Sequence, residues 1–301
     1  MRRVGVLMHL PERSLEGQLR IIAFRLALTM AGWSEDGNLQ VDYRWTGGNR
    51  ELADSHAAEL IGANPDVLVS GNSEVTLALQ RATRTIPIVF AEVIDPVSYG
   101  LVAGLAHPGR NITGFMMFEA SLAAKWLELL QSIKPDVTRV VVMYDPGEPP
   151  SKGFLAAIAQ AAGPRGVQIS STAVSSASDI EQFFDNAGAP AGLGAIQLPG
   201  SVMAQYRNLI LAQAAARKLP MIYGSRDNPS RGGLASYGVN SIDLYRLAAS
   251  YVDRILKGEK PADLPVQAAS RYELVINLKA ARALGLELSP ALLGRADDVI
   301  E

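Results

Sequence analysis

Gly71-Asn72-Ser73 stands between a short apolar run, Asp66-Val67-Leu68-Val69-Ser70, and a helical pattern that reaches about Thr83. Glycine lets a backbone approach closely, asparagine and serine cap helices, and the first N–H groups of a helix are unpaired donors. Together these are the parts of a loop that holds a carboxylate or another anion. The helix dipole contributes about 0.3–1 kcal/mol and each charge-assisted hydrogen bond about 1.5–3 kcal/mol. Micromolar binding needs about 8 kcal/mol, so several such loops must act together. The same residues also fit a simpler role, with Ser73 only capping its own helix.

Other residues with usable chemistry follow other apolar runs. His9 lies at the end of Val4 to Leu10, and Glu92 and Asp95 follow Ile86 to Phe90. One of those acids suits a ligand ammonium, and the other suits the turn into Pro96. Further along, Tyr144, Ser201 in the Pro199-Gly200-Ser201 turn, and Arg226 each follow a comparable run. Phe115, Tyr144 and Tyr237, with Phe118 and Tyr223, stand near expected strand ends or crossings, where they serve either as a pocket wall or as core.

Several chemistries are excluded or lack their motifs. The 301 residues contain no cysteine, which removes thiol nucleophiles, disulfides and thiolate metal sites. His9, His56 and His107 are scattered without paired helical spacing, so no metal site is expected. No G-x-G-x-x-G follows the first run, and no P-loop lysine motif, G-x-S-x-G or H-E-x-x-H occurs, so no cofactor is expected. The net charge of -2 and the lack of a basic cluster make nucleic acid an unexpected partner. At 48% hydrophobic and 19% charged, the chain is too apolar to be disordered.

The elements that must position these residues alternate. Short β-branched runs and longer helical patterns succeed one another almost to the C-terminus, which predicts an α/β fold of parallel, doubly covered sheets. The first helix is predicted over about 15–31, with Leu19, Ile22, Ala23, Leu26 and Met30 on its buried face. The element order then repeats. Val4 aligns with Val140, Val41 with Ile169, Ser73 with Ser201, and Pro87 with Pro220, at offsets between 128 and 136 residues. This predicts two duplicated lobes joined by three crossover strands: residues 1–114 with 241–264, and residues 115–240 with 265–301. The crossings fall at Asn111–Met117, Gly232–Gly238 and Pro261–Pro265. In such sheets ligands bind beyond the carboxyl ends of the strands, where the residues above are found.

Longer motifs carry a resemblance. They are Tyr43-Arg44-Trp45, Thr85-Ile86-Pro87-Ile88-Val89-Phe90 with Asp95-Pro96-Val97, and Pro108-Gly109-Arg110-Asn111-Ile112-Thr113-Gly114. To these are added Gly232-Gly233-Leu234-Ala235-Ser236-Tyr237-Gly238 and the run from Ile255 through Val266. With them the chain resembles the ABC-transporter substrate-binding proteins that include bacterial aromatic amino-acid binders, of the type I periplasmic binding protein fold. The resemblance implies a non-catalytic receptor for a small solute, an amino acid first among candidates, held between lobes that close about Gly114, Gly238 and Pro265. It implies an ABC permease as partner, a monomer, and a periplasmic or cell-surface location, or a cytoplasmic one if the chain is complete. Its ligand-facing turn falls on Gly71, Asn72 and Ser73, with second-lobe partners at Tyr144, Ser201 and Arg226. A run as short as Val4 to Leu10, holding His9 and stopped by Pro11, reads as a buried strand and not as an export signal. A cytoplasmic ligand sensor and an enzyme using Glu92 for proton transfer are the alternatives.

Overall fold

The computed structural model describes residues 1–35, 37–187, 191–269 and 271–301, which form two compact units. Unit 1 comprises Met1–Glu119 and Asn240–Ser270, and unit 2 comprises Ala120–Val239 and Arg271–Glu301.

Unit 1 begins with β1 (Arg2–Met8), α1 (Leu15–Met30), β2 (Leu39–Trp45), α2 (Arg50–Gly62), β3 (Val67–Ser70), α3 (Ser73–Ala82), β4 (Ile88–Val93) and β5 (Ile112–Met116). Unit 2 follows with α4 (Ala123–Ile133), β6 (Arg139–Tyr144), α5 (Ser151–Ala162), β7 (Gln168–Ala173), α6 (Ala177–Ala187), β8 (Leu193–Gln197), α7 (Ser201–Gln205), α8 (Arg207–Ala216), β9 (Met221–Tyr223) and β10 (Ala235–Val239). The chain then returns to unit 1 for α9 (Ser241–Leu256) and β11 (Gln267–Ala268). It ends in unit 2 with β12 (Tyr272–Asn277), α10 (Leu278–Ala283), α11 (Pro290–Leu293) and β13 (Asp298–Ile300).

The sheet of unit 1 has the order β11-β5-β4-β3-β1-β2, and all its pairings are parallel. The sheet of unit 2 has the order β13-β12-β10-β9-β8-β6-β7, with β12 antiparallel to β10. Five strands therefore follow one plan twice, β5-β4-β3-β1-β2 and β10-β9-β8-β6-β7. The register agrees with the internal repeat: Val4 pairs with Val41, and Val140 with Ile169. The two prolines also match. Each precedes a strand, where its missing N–H costs no ladder bond, and each carbonyl accepts from the neighbouring strand, Pro87 O from Leu68 N and Pro220 O from Ala195 N, both at 2.8 Å.

The central strands β3, β4, β5, β8 and β9 are buried throughout, and each unit has its own core. Phe90, Leu68, Leu79 and Val75 pack together in unit 1, and Phe183, Phe184, Met143 and Tyr223 in unit 2. Burying each such side chain contributes about 1.5–3 kcal/mol. In unit 2, α4 is also fixed by Trp126, which is fully buried and donates from Nε1 to the carbonyl of Tyr237 at 2.7 Å. No helix among the described residues is long and apolar enough to cross a membrane.

Three expectations change. The first concerns α1, whose buried residues are Gly17, Arg20, Ile21, Ala23, Phe24 and Leu28, while Leu19, Ile22, Leu26 and Met30 are exposed. The helix carries apolar residues on both faces, so periodicity alone does not say which one meets the sheet. The second concerns the crossings: β5 and β10 are full members of their sheets, and Pro261–Asp263 is a short 3-10 turn in unit 1. The chain passes between units after Glu119, after Val239 and before Arg271, so residues 115–119 and 265–269 belong to unit 1, where β11 pairs with Phe115 and Met116. The third is the helix expected through Lys218, which is two helices divided at Tyr206.

Candidate functional site

A parallel sheet offers its ligand crevice where strand order reverses, outside the carboxyl ends of the strands. In unit 1 the reversal lies between β1 and β3, and it brings His9 beside Gly71. The turn is held by Gly71 N donating to Leu7 O at 3.1 Å. A Cβ at Gly71 would lie 2.6 Å from Tyr245 Oη and 2.8 Å from His9 Nδ1, so only glycine permits this approach. Asn72 is the N-cap of α3: its Oδ1 accepts from Val75 N at 3.0 Å. Ser73 is buried, and its Oγ accepts from Ile94 N at 3.3 Å, joining the β3 turn to the β4 turn. The four residues thus come together at the positive end of a ten-residue helix, as the sequence reading expects.

Glu92 and Asp95 turn out otherwise. Glu92 is only 4% exposed, and Arg20 Nε lies 3.1 Å from its Oε1. Tyr245 stands in the same cluster; burial first, and then the neighbouring Glu92 carboxylate, push its hydroxyl well above the ordinary tyrosine range. Tyr245 Oη also donates to Met8 Sδ at 3.2 Å. Glu92 is therefore an interior charge, paired under the site, and not a carboxylate displayed to a ligand ammonium. Asp95 closes its own turn: its Oδ1 accepts from Ser98 N at 3.2 Å and its Oδ2 from Ser98 Oγ, with φ at +43°. Phe115 is core. It is 1% exposed, and its ring lies 4.6 Å from that of Tyr251, because β5 continues inside the sheet of unit 1.

In unit 2 the reversal lies between β6 and β8, and Leu198 N donates to Met143 O at 2.9 Å where Gly71 N meets Leu7 O in unit 1. Tyr144 ends β6, half-buried, and its carbonyl accepts from Val174 N. Two carboxylates from the next turn then hold the start of α7. Glu148 Oε1 accepts from Ser201 N at 3.0 Å and from Ser201 Oγ, and Asp145 Oδ2 accepts from Val202 N at 3.4 Å. Arg226 departs from its expected role. Its Nη1 lies 3.0 Å from Glu273 Oε2 and its Nη2 2.8 Å from Asp298 Oδ2, so the guanidinium ties the loop after β9 to β12 and β13. Tyr237 stacks on Tyr272 with ring centroids 5.8 Å apart, in the wall of a cavity of about 310 Å³ bordered by α4, β12 and the Leu292–Asp297 segment.

Arg20, Tyr245 and Glu148 escape the sequence reading, whereas Asp145 follows Tyr144 at a strand end where ligand-facing residues are expected. Arg20 sits in an apolar helix whose inward face is ambiguous, and Tyr245 arrives from a helix more than 150 residues beyond the loops it supports. Glu148 carried a usable signal: it closes the acid-rich turn Asp145-Pro146-Gly147-Glu148, which directly follows a strand.

Comparison with known proteins agrees with this architecture. Residues 7–300 match the family described as ABC transporter substrate binding protein. A tyrosine-binding protein of Clostridioides difficile is 24% identical over 265 residues, covering 88% of this chain and 76% of that protein. Among solved structures, a conserved domain protein of Vibrio cholerae superposes with a TM-score of 0.89 at 30% identity, covering 99% of each chain. An ABC domain from Streptococcus pneumonia in complex with L-Trp gives a TM-score of 0.89 at 24% identity, again over 99% of each chain. With nearly its whole length matched and both sheets wound in the same way, the chain belongs to the ABC transporter substrate-binding protein family.

Proposed function

We propose that this chain is the solute receptor of an ABC import system and that its solute is an amino acid, aromatic ones being the first candidates. The observation that carries this reading is the family match over residues 7–300. The choice of solute is supported by the tryptophan complex and the tyrosine-binding protein among the similar proteins, and by the chemistry of the loops.

The N-terminus of α3, with Asn72 and Ser73 beside it, favours a carboxylate, because unpaired N–H groups and the helix dipole both favour negative charge there. Asp145 and Glu148 supply acceptors suited to an ammonium. The partner is a membrane permease, and the place of action is outside the cytoplasm.

Titration calorimetry with L-tryptophan, L-tyrosine and their carboxamides tests the reading. At least one free amino acid binds, and its amide binds at least about tenfold more weakly, one charge-assisted contact being worth that much. Equal affinity for acid and amide would contradict the assignment of α3.

A further inference from the structure

Every large apolar side chain that is exposed among the described residues belongs to unit 1, and half of them lie on one helix. On α1, Leu15 is 74% exposed, Leu19 40%, Ile22 48%, Leu26 59% and Met30 89%. Their spacing of four, three, four and four residues makes a continuous seam along the outer face of a 16-residue helix, close to the heptad pattern of paired helices. The helix in the same place of unit 2 shows what the fold itself requires. The outward positions of α5 are Lys152, Gly153, Ala156, Ala159 and Gln160, with no large apolar side chain. The seam is thus not a by-product of the duplicated architecture.

We propose that α1 pairs antiparallel with α1 of a second copy of this chain, forming a two-fold dimer through unit 1. The pattern is self-complementary in that direction. With the axis beside Ile22, Leu19 meets Leu26 of the second copy, Leu15 meets Met30, and Ile22 meets itself, as an isologous interface requires. Charge agrees. The only charged side chain flanking the seam at its middle is Arg25, whose Nε lies 2.7 Å from Glu35 Oε1, and antiparallel pairing sets it across from Gln18 and not across from another cation. Area agrees as well. The five side chains expose roughly 600 Å², at the upper limit for the largest apolar patch of a monomer. Two copies would bury roughly 1,200 Å² through the seam alone, where specific interfaces begin. The monomer that family resemblance implies leaves this surface in water.

The experiment is sedimentation velocity on the intact chain over about a hundredfold range of concentration, with three variants read on the same scale. The unaltered chain sediments as a dimer that dissociates on dilution. Leu19→Glu with Leu26→Glu places like charges across the axis and yields a monomer with an unchanged melting temperature, both sites being exposed. Leu19→Lys with Leu26→Glu restores dimers at least about tenfold more stable than the double glutamate, because antiparallel pairing sets Lys against Glu. Since the chain has no cysteine of its own, Ile22→Cys provides a check independent of those substitutions: oxidation gives a disulfide-linked dimer, whereas Glu51→Cys on exposed α2 does not. A monomer at all concentrations overturns the proposal. So does a dimer that survives the double glutamate, or a monomer that sediments with phosphatidylglycerol vesicles through the same residues, which would make the seam a lipid contact.

Discussion

At the strand-order reversal of unit 1, neutral groups hold the start of α3: Asn72 caps it, and the buried Ser73 receives Ile94 N. At the corresponding reversal of unit 2, the start of α7 is held by two carboxylates, Asp145 and Glu148. The sheets beneath are wound alike, down to the register of Val4 on Val41 and Val140 on Ile169. Parallel strands buried on both faces leave little freedom in order and register, since one slipped residue turns every side chain to the wrong layer. Loops and outward helix faces carry no such constraint. The two copies therefore keep the same five-strand plan and differ in charge at the loops and in apolarity on the outer face.

The largest expected effect tests the shared frame. Gly114 has φ of +151°, and a Cβ there would collide with the Phe90 carbonyl, so Gly114→Ala lowers unfolding stability by more than about 4 kcal/mol in urea titration. Gly62, the exposed last residue of α2 with open space around it, gives the contrast: Gly62→Ala is neutral or stabilises by about 0.4–1 kcal/mol. Next comes the buried ion pair of unit 1. Arg20→Met leaves Glu92 without its guanidinium and costs about 3–5 kcal/mol. A cost below about 1 kcal/mol would show that the pair is more hydrated than its burial indicates.

The two helix starts differ by smaller amounts. Asn72→Ala removes the side-chain cap of α3 and costs about 1 kcal/mol, visible as a lower melting temperature, together with weaker binding of carboxylate solutes. Glu148→Gln keeps a hydrogen-bond acceptor and removes only the charge, costing about 0.3–1 kcal/mol, and less in high salt. The smallest effect concerns Glu128 on α4. A hydrogen bond from Lys125, and the charges of Arg165 and Arg295, hold its carboxyl below the ordinary range against a partial opposing effect of burial. A depressed carboxyl stabilises the fold above the unfolded-state value and loses that contribution as pH falls through the folded one. Glu128→Gln therefore lowers stability at pH 7 by less than about 1 kcal/mol, and the difference from the unaltered chain disappears once the pH has fallen through the folded-state value.

Much of the frame was legible in the sequence because strands buried on both faces leave unbroken β-branched runs, and because Pro87 and Pro220 mark equivalent strand starts. The placement of Gly71, Asn72 and Ser73 at the start of α3 was legible for a related reason: a turn between strand and helix constrains residue type locally. The roles of Glu92, Phe115 and Arg226 were not, since each depends on a partner distant in sequence, Arg20, Tyr251, and Glu273 with Asp298 respectively. The inward face of α1 was misread because apolar side chains occupy both faces, and only the sheet decides between them.

Native mass spectrometry of the chain incubated with an equimolar set of amino acids, followed by mass analysis of what is released, tests the central claim most directly. The account predicts one bound amino acid per chain, displaced intact and enriched in aromatic members of the set. Release of a product with altered mass, or the absence of any bound amino acid, would contradict it.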